Sequence, residues 1–354
     1  MTDPAADISA DTVQLDRLSE WLSLHVEGFH PPLSVERFPG GQSNPTYKLT
    51  TPRKTYVMRA QPPGSLMHGA HAVDREHRVI TSLSGTEVPV PITYALCEDD
   101  AVIGRSFFVM DYVSGLIHVQ ADLPDVSREA RAAHFDAMNA TLANLHQIDP
   151  VAVGLSDFGK RGGYLERQIR RWIRQYDADP AAGRLKTMDR LGPWLLANVP
   201  DDDEVAIVHG DFRSHNLIFR PDRPELAAVL DWELSTLGHP ITDFAFNLMM
   251  YRVPNRIEGW VEGGGLKGLD LAALNIPTEV DYVAAYCRRT GRRTIPHLQF
   301  HLAYNLYRFA TIIHGIKGRA LRGNASSAQA KKVAGSLEIF VDLAWDEACL
   351  AGMK

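Results

Sequence analysis

The sequence predicts an α+β protein with two lobes: a small, antiparallel, β-rich N-lobe (residues 1–113) and a larger, mainly helical C-lobe (residues 114–354). Short runs with strand character dominate the first 115 residues and enclose a single helical segment. Beyond Gly115 the apolar residues recur at helical spacing, interrupted by one β-rich stretch from Val205 to Asp231. A chain of 354 residues is long enough to give each lobe its own hydrophobic core.

The N-lobe is predicted to start with a helix, because apolar residues recur there at helical spacing; they are Val13, Leu15, Leu18, Trp21, Leu22 and Leu24. Pro31-Pro32 ends that pattern, and strand-like runs rich in β-branched and aromatic residues follow. The predicted elements are strands Ser34–Phe38, Thr46–Thr51 and Lys54–Ala60, helix His71–Ser84, and strands Ile92–Leu96 and Arg105–Tyr112.

The C-lobe is predicted to consist mainly of helices, identified by apolar residues three and four positions apart. The predicted helices are Arg128–Ile148, Tyr164–Tyr176, Met188–Val199, Ile241–Tyr251, Val280–Gly291, Pro296–Gly315 and Ser327–Leu350. A glycine-rich loop, Gly259–Gly268, interrupts them, and the sequence leaves open whether it is a lid. We expect the stripe Tyr304, Tyr307, Phe309 and Ile313 to be core.

Composition and charge exclude several classes of function. A net charge of −6 argues against general nucleic-acid binding, which requires a basic face. Three scattered cysteines fit a reducing compartment better than a disulfide framework. The polar N-terminus is unlike a signal peptide, and no apolar run reaches the roughly 20 residues of a membrane span. We therefore expect a cytoplasmic protein that binds neither membrane nor nucleic acid, and the oligomeric state stays open.

The stretch Val205–Asp231 carries the clearest chemical signal. An apolar run ends in His209-Gly210-Asp211, Asn216 follows five residues after the Asp, and a second apolar run delivers Asp231. Carboxylate and amide oxygens at the ends of short strands can converge, and Mg²⁺ prefers such ligands. Because Mg²⁺ held in this way usually accompanies a nucleotide, the stretch predicts the active site of an ATP-dependent phosphotransferase.

Two simpler interpretations stand beside this one. Asp211 could cap backbone donors within a turn, and Asp231 could be the N-cap of a helix. Taken singly, each acid fits the simpler interpretation better. Taken together with Asn216 and the two flanking strands, they favour the functional one.

The motifs resemble those of the aminoglycoside phosphotransferase-like family. His209-Gly210-Asp211 with Asn216-Leu217 matches its HGDxxxxNL signature, and Val229–Glu233 resembles its metal-binding strand. The resemblance implies a protein-kinase-like fold, with Asp211 as the catalytic residue and Asn216 and Asp231 as ligands of Mg²⁺. It also implies structural roles for His209 and for Asp243, which would hydrogen-bond the catalytic loop. One departure is His239, which stands where Asp is common.

The same resemblance assigns the ATP-binding residues of the N-lobe. Arg59 stands where such kinases place the lysine that pairs with the α- and β-phosphates, and Glu76 is its expected partner. Met110 and Tyr112 would belong to the hinge that binds adenine. The turn between the first two strands would cover the phosphates, with glycines that let the backbone approach closely and side chains that donate; its residues are Gly40, Gly41, Gln42, Ser43 and Asn44.

The finer resemblance is to the branch with kinase-like domains fused to acyl-CoA dehydrogenases. Segments such as Tyr56-Val57-Met58-Arg59 and Asp74-Arg75-Glu76 carry it, and it implies a hydroxyacyl compound or hydroxyacyl-CoA as the small-molecule hydroxyl substrate. The alternatives are an amino-sugar kinase and a catalytically inactive nucleotide-binding module. A basic cluster could meet a CoA phosphate or could be a solvated face; it comprises Arg288, Arg289, Arg292, Arg293, Lys317, Arg319 and Arg322.

Overall fold

Two units make up the chain in a computed structural model that describes residues 12–39, 44–62, 73–258, 260, 263–322 and 330–354. The first unit is Met1–Gly115 together with Ala227–Ser235. The second is Leu116–Leu226 together with Thr236–Lys354.

A five-stranded antiparallel sheet lies at the centre of the first unit, in the order β1-β2-β3-β5-β4. Its register pairs Arg59 with Thr46 on one side and with Phe108 on the other, so Arg59 lies in the central strand. The strands are β1 (Ser34–Arg37), β2 (Thr46–Thr50), β3 (Thr55–Ala60), β4 (Thr93–Cys97) and β5 (Phe107–Asp111).

Three helices accompany this sheet: α1 (Thr12–His25), α2 (Val73–Leu83) and α3 (Asp100–Ile103). Helix α1 packs Leu18 and Leu22 into the core of the unit, as its spacing predicts. Helix α3 was not predicted, because a single helical turn is too short to show a period of apolar residues. Its ends are nonetheless specified, since the Asp99 side chain accepts the Ala101 N–H at its start and Gly104 takes a left-handed conformation (φ 75°) at its end.

The segment Ala227–Ser235 belongs to the first unit, although it lies far along the chain from the rest of that unit. The reason is local bonding: the Val229 N–H donates to the Pro89 carbonyl at 2.8 Å, and a 3₁₀ turn at Trp232–Leu234 packs on α2. Asp231 is thereby a residue of the first unit.

Helices dominate the second unit. Strand β6 (Ala206–Val208) pairs antiparallel with strand β9 (Thr236–Gly238). Its elements are α4 (Arg128–Gln147), α5 (Tyr164–Asp177), α6 (Lys186–Ala197), β6 (Ala206–Val208), β7 (Leu217–Phe219), β9 (Thr236–Gly238), α7 (Pro240–Leu248), α8 (Leu271–Leu274), α9 (Glu279–Arg289), α10 (Leu298–Leu321), α11 (Ala330–Ala334) and α12 (Leu337–Leu350). Strand β8 (Leu226–Val229) leads from the second unit to the first.

Six of the seven helices predicted for this unit are present, most of them with different ends. The seventh, Ser327–Leu350, is wrong as one helix, because Gly335 and Ser336 separate α11 from α12; its first three positions, 327–329, lie outside the described residues. Helix α7 ends at Leu248 and a 3₁₀ turn continues to Tyr251, while the one-turn helix α8 was missed.

The expected core stripe on α10 is confirmed for three of its four members. Tyr304, Tyr307 and Ile313 are buried, whereas Phe309 is only half-buried. Within the described part of the chain, no helix is both long and apolar enough to cross a membrane.

Candidate active site

The turn His209-Gly210-Asp211 follows strand β6 and is fixed by a carboxylate from helix α7. Oδ2 of Asp243 accepts the His209 N–H at 2.7 Å, and Oδ1 accepts the Gly210 N–H at 2.8 Å. Gly210 has a φ of 83°, a left-handed conformation that glycine adopts without strain. The structure thus places Asp243 where the sequence predicted it, bonded to the backbone of the loop.

Buried neighbours keep Asp243 ionised. Burial by itself disfavours the carboxylate, but the hydrogen bond from His146 and the donors of His209 outweigh it and hold the pKa of Asp243 below its ordinary value. His146 Nε2 lies 3.2 Å from Oδ2 of Asp243, and its Nδ1 lies 2.7 Å from the Tyr286 hydroxyl. His146 thus supports the loop through Asp243.

A second side chain, Arg308 of α10, holds the other side of the turn. Its Nη2 donates to the Gly210 carbonyl at 2.9 Å, while the Asp211 N–H donates to Nδ1 of His209 at 3.2 Å. The peptide unit that joins Gly210 to Asp211 is therefore bonded at both ends. The guanidinium is buried over the Phe246 ring, 5.0 Å from its centroid, a favourable place for a cation.

The Asp211 side chain is bonded to side chains rather than capping the turn. Asn216 Nδ2 donates at 2.9 Å both to Oδ2 of Asp211 and to its carbonyl oxygen. Arg213 Nε lies 3.2 Å from the other carboxylate oxygen, Oδ1, and the side chain remains 18% exposed. Because the amide nitrogen of Asn216 is committed to Asp211, its carbonyl oxygen is the atom left for a hard cation.

His239 performs the local task expected of the Asp that it replaces. It occupies the N-cap of α7, where its Nδ1 accepts the Ile241 N–H at 3.2 Å, and Pro240 follows at the first helical position. The departure from the family motif therefore preserves the start of the helix that carries Asp243.

A charged cluster in the first unit surrounds Arg59. Its Nε lies 2.8 Å from Oε2 of Glu76, and its Nη2 lies 2.6 Å from Oδ1 of Asp231 and 3.3 Å from Oε2 of Glu233. Burial opposes the charge of Arg59, but Glu76, Asp231 and Glu233 outweigh it and raise the pKa of the guanidinium. The predicted partners Arg59 and Glu76 are thus in contact, and Nη1 is the guanidinium nitrogen that these contacts leave over.

Glu76 is buried on the inner face of α2. Burial raises the pKa of Glu76 to about 7. The charges of Asp231 and Glu233 also raise it, whereas the charge of Arg59 lowers it. Glu233 was missed as a site residue, although it stands two positions after Asp231 within the motif. Its Oε2 also accepts from Asn44 Nδ2 at 3.4 Å.

Asp231 has the properties of a metal ligand. It lies at the N-cap position of a 3₁₀ turn with φ 64°, but its side chain caps nothing there, so the simpler interpretation of this residue is not supported. Arg59 engages Oδ1, which leaves Oδ2 for a cation, and the side chain is 32% exposed. Carboxylate and amide oxygens are the donors that Mg²⁺ takes in proteins, so Asp231 and Asn216 each fit that role.

The remaining predicted ATP-binding residues are less informative. Gly40, Gly41, Gln42 and Ser43 lie outside the described residues. Met110 is buried in β5 opposite Val57, whereas Tyr112 is exposed, with Lys48 Nζ 5.4 Å from its ring centroid. The hinge assignment of Met110 and Tyr112 stays a prediction.

The basic cluster of the C-lobe is partly neutralised. Arg289 Nη2 lies 2.7 Å from Asp136, Arg322 Nη1 lies 2.6 Å from Asp179, and Arg292 pairs with Glu204. Three of its arginines thus have an acidic partner, which favours a solvated face over a phosphate-binding site.

Several known proteins are similar in sequence to this chain over most of its length. A model described as the phosphotransferase enzyme family matches residues 34–275. A solved structure from Ralstonia eutropha JMP134, provisionally named an aminoglycoside phosphotransferase, is 44% identical with a TM-score of 0.86, covering 96% of this chain and 99% of that one. These matches confirm the predicted family resemblance and fold class.

More distant structures share the fold alone. A thermostable mutant of the aminoglycoside phosphotransferase APH(4)-Ia, in complex with AMP-PNP and hygromycin B, is 15% identical with a TM-score of 0.57, covering 94% of this chain and 99% of that one. The nucleotide analogue AMP-PNP is bound in the structure of that protein.

Curated relatives are longer proteins. Mouse acyl-CoA dehydrogenase family member 10 is 39% identical over 323 residues, which are 91% of this chain and 30% of that protein. Chicken acyl-CoA dehydrogenase family member 11 is 42% identical over 299 residues, which are 83% of this chain and 38% of that protein. The chain therefore spans well under half the length of these relatives.

Proposed function

The chain belongs to the phosphotransferase enzyme family, and from this premise we propose that it transfers the γ-phosphate of ATP to a hydroxyl group of a small molecule, with Mg²⁺. One observation carries the proposal: the backbone before Asp211 is fixed by Asp243 and Arg308, and its carboxylate is held by Asn216. Such rigid support for one partly exposed carboxylate is expected of a catalytic group, because small displacements are costly in rate.

Asp211 is the residue we assign to the acceptor hydroxyl. The hydroxyl oxygen forms a bond to the γ-phosphorus while the bond from that phosphorus to the β,γ-bridging oxygen breaks, and ADP leaves. The hydroxyl proton passes to the Asp211 carboxylate. Orientation and proton acceptance of this kind contribute about 10²- to 10⁴-fold in rate.

Mg²⁺, when bound, would offset charge on the phosphate oxygens. We assign Asn216 and Asp231 as its protein ligands, supported by the oxygen that each has left after its contacts with Asp211 and Arg59. Nη1 of Arg59 is the donor we assign to the nucleotide phosphates, since Nε and Nη2 are taken by carboxylates. Glu76 then fixes the direction of the guanidinium.

For the acceptor we propose a hydroxyacyl compound, either free or as a CoA thioester. The names of the curated relatives support this class, because those longer proteins are called acyl-CoA dehydrogenase family members. The rival acceptor is an amino sugar, supported by the provisional name of the Ralstonia protein. Pairing of Arg289, Arg292 and Arg322 with acids gives no support to a CoA-phosphate site in the basic cluster.

The test is Mg²⁺-dependent ATP consumption by wild type and Asp211→Asn. A small-molecule extract incubated with γ-labelled ATP supplies the acceptor, and the labelled product is identified by its mass. We expect wild type to label a hydroxy compound and Asp211→Asn to lose at least about a hundredfold in rate. Equal rates for the two proteins would overturn the role of Asp211, and ATP binding without any transfer would favour the inactive nucleotide-binding module.

A further inference from the structure

An apolar cleft opens beside the catalytic loop, entirely within the second unit. It encloses about 720 Å³ of empty space when its mouth, which is open to solvent, is counted. Arg213, Ser214 and His215, the residues between Asp211 and Asn216 after Phe212, form one edge of it. A compound in the cleft therefore lies next to the loop that carries Asp211.

Three aromatic side chains also line the cleft, and their rings contact one another. The rings of Phe309 and Phe340 have centroids 4.7 Å apart, and Trp260 stacks on Phe340 at 5.6 Å. The indole N–H of Trp260 donates to the Ser336 hydroxyl at 3.0 Å, so the ring presents an apolar face. Phe309 is half-buried because it borders this cleft, which is why the core stripe of α10 was wrong at that position.

The described residues at the end of the glycine-rich loop line the cleft, and backbone hydrogen bonds hold them there. The Gly265 N–H donates to Pro254 at 2.9 Å and the Leu266 N–H to Met250 at 2.7 Å. A Cβ at Gly264 would collide with the carbonyl oxygen of Asn255, so only glycine allows this approach. The cleft is therefore a built feature of the fold.

Charge in the cleft argues against a polycation. None of the described residues that line it is Asp or Glu, and the guanidinium of Arg213 is already paired with Asp211, 3.2 Å away. An amino sugar with several ammonium groups would lose water there, and the lining would offer no carboxylate of its own to pair with them, which is unfavourable. An uncharged apolar body would instead gain from contact with the aromatic wall.

Two polar side chains at the loop edge are available to a ligand. Among the described residues, neither the Ser214 hydroxyl nor the His215 ring has a hydrogen-bond partner. Asn247 also borders the cleft, but its amide is used, since it donates to the Phe212 carbonyl at 3.2 Å and accepts from the Tyr282 hydroxyl at 2.8 Å. Neutral hydrogen bonding is thus confined to the edge nearest Asp211.

We infer that this cleft is the acceptor site and that it takes the neutral, largely apolar, hydroxylated part of the acceptor. Its aliphatic or aromatic body lies on Trp260 and Phe309, and a neutral polar group near the hydroxyl, such as a carbonyl, bonds with Ser214 and His215. The inference rests on the proposed function for its link to phosphoryl transfer, whereas the ligand class rests on the lining alone.

The experiment uses N-methylamides of straight-chain hydroxy acids of increasing length, with kanamycin as the polycationic probe. Binding is measured by calorimetry without nucleotide, and phosphorylation with Mg²⁺-ATP. Affinity should rise by about fourfold for each methylene that enters the cleft and then level off. Kanamycin should not bind measurably.

Variants identify the cleft as the place of binding. Phe309→Ala should weaken the longest amide by about tenfold and reduce its dependence on length, with the KM for ATP unchanged. Ser214→Ala should weaken every amide by about two- to tenfold and leave the dependence on length intact. The matched control is Leu321→Ala, on the same helix but 64% exposed and outside the cleft, which should change neither.

The outcomes separate this inference from the proposed function. Binding that is independent of chain length, or that prefers kanamycin, overturns the inference even if ATP is consumed. Length-dependent binding that Phe309→Ala reduces, without any phosphorylation, upholds the cleft and defeats the phosphotransferase proposal. If Phe309→Ala is unfolded by circular dichroism, Ser214→Ala and the wild-type length series decide the matter.

Discussion

Removal of the Arg308 guanidinium should lower both the stability of the protein and its turnover. Arg308→Met keeps most of the apolar stem but leaves the buried Gly210 carbonyl without its 2.9 Å donor, which costs about 1–3 kcal/mol. Loss of the ring contact with Phe246 costs about 1 kcal/mol more. Relief from burying a cation that has no acidic partner among the described residues offsets part of this. We expect a net destabilisation of about 1–3 kcal/mol in urea unfolding.

Turnover should also fall, because Arg308 holds the carbonyl end of the peptide unit that joins Gly210 to Asp211. That peptide unit would then keep only the hydrogen bond from the Asp211 N–H to His209, so the Asp211 carboxylate is less well oriented and kcat should drop about 10- to 100-fold. KM for ATP should stay constant, since Arg308 does not touch the Arg59 cluster. Arg308→Lys, which keeps a donor and a charge, should recover part of the loss.

The matched control is Arg322→Met, just beyond the same helix. It breaks an ion pair with Asp179 in which the arginine is 44% exposed, so stability should change by no more than about 1 kcal/mol and kcat not at all. If folded Arg308→Met and Arg308→Lys both turn over at the wild-type rate, the contact with Gly210 does not position Asp211 and the reasoning is refuted.

Three further predictions concern the charged groups of the site. Asp211→Asn should bind ATP normally yet lose about 10²- to 10⁴-fold in phosphoryl transfer, followed as ADP release; retained transfer would contradict its role. Arg59→Met should destabilise the protein by about 3–5 kcal/mol in urea unfolding, because it leaves Glu76 buried without a counter-charge, and a stable variant would argue against the ion pair. The pKa of Glu76 is raised from 4.5 to about 7, so the folded protein binds that proton more tightly than the unfolded chain between these values. Wild type should therefore lose stability relative to Glu76→Gln as pH rises from about 4.5 to 7, and a constant difference would show that Glu76 has an ordinary pKa.

Local patterns in the sequence were sufficient for the elements and for the residues next to them in the chain. The strand before His209 is visible in the sequence as an apolar run, and the helix that carries Asp243 as apolar residues at helical spacing. Both elements are present. The prediction failed where the end of a helix depended on contacts rather than on a sequence pattern. Within the predicted helix Ser327–Leu350, the described residues are helical on both sides of Gly335 and Ser336, so the apolar spacing did not reveal the break.

Partners that are distant in sequence left no local signal. Arg308 lies 98 residues from Gly210, and His146 lies 97 residues from Asp243. A buried arginine within an apolar helix and a histidine near a helix end are ordinary features when met singly. Their roles follow only from the fold, which brings α4, α7 and α10 to one turn of backbone.

The arginine at position 59 illustrates how a departure from a family motif can be consistent with its surroundings. A lysine ammonium is a single point, whereas the guanidinium of Arg59 contacts buried Glu76 through Nε and Asp231 and Glu233 through Nη2. These contacts join α2 to the segment Ala227–Ser235, which is otherwise anchored by the bond from Val229 to Pro89. With three carboxylates around one cation, the cluster keeps an excess of negative charge whether Glu76 is ionised or neutral. Such an excess would suit the proposed binding of a divalent cation, and a planar, forked guanidinium can contact several carboxylates at once where the lysine ammonium cannot.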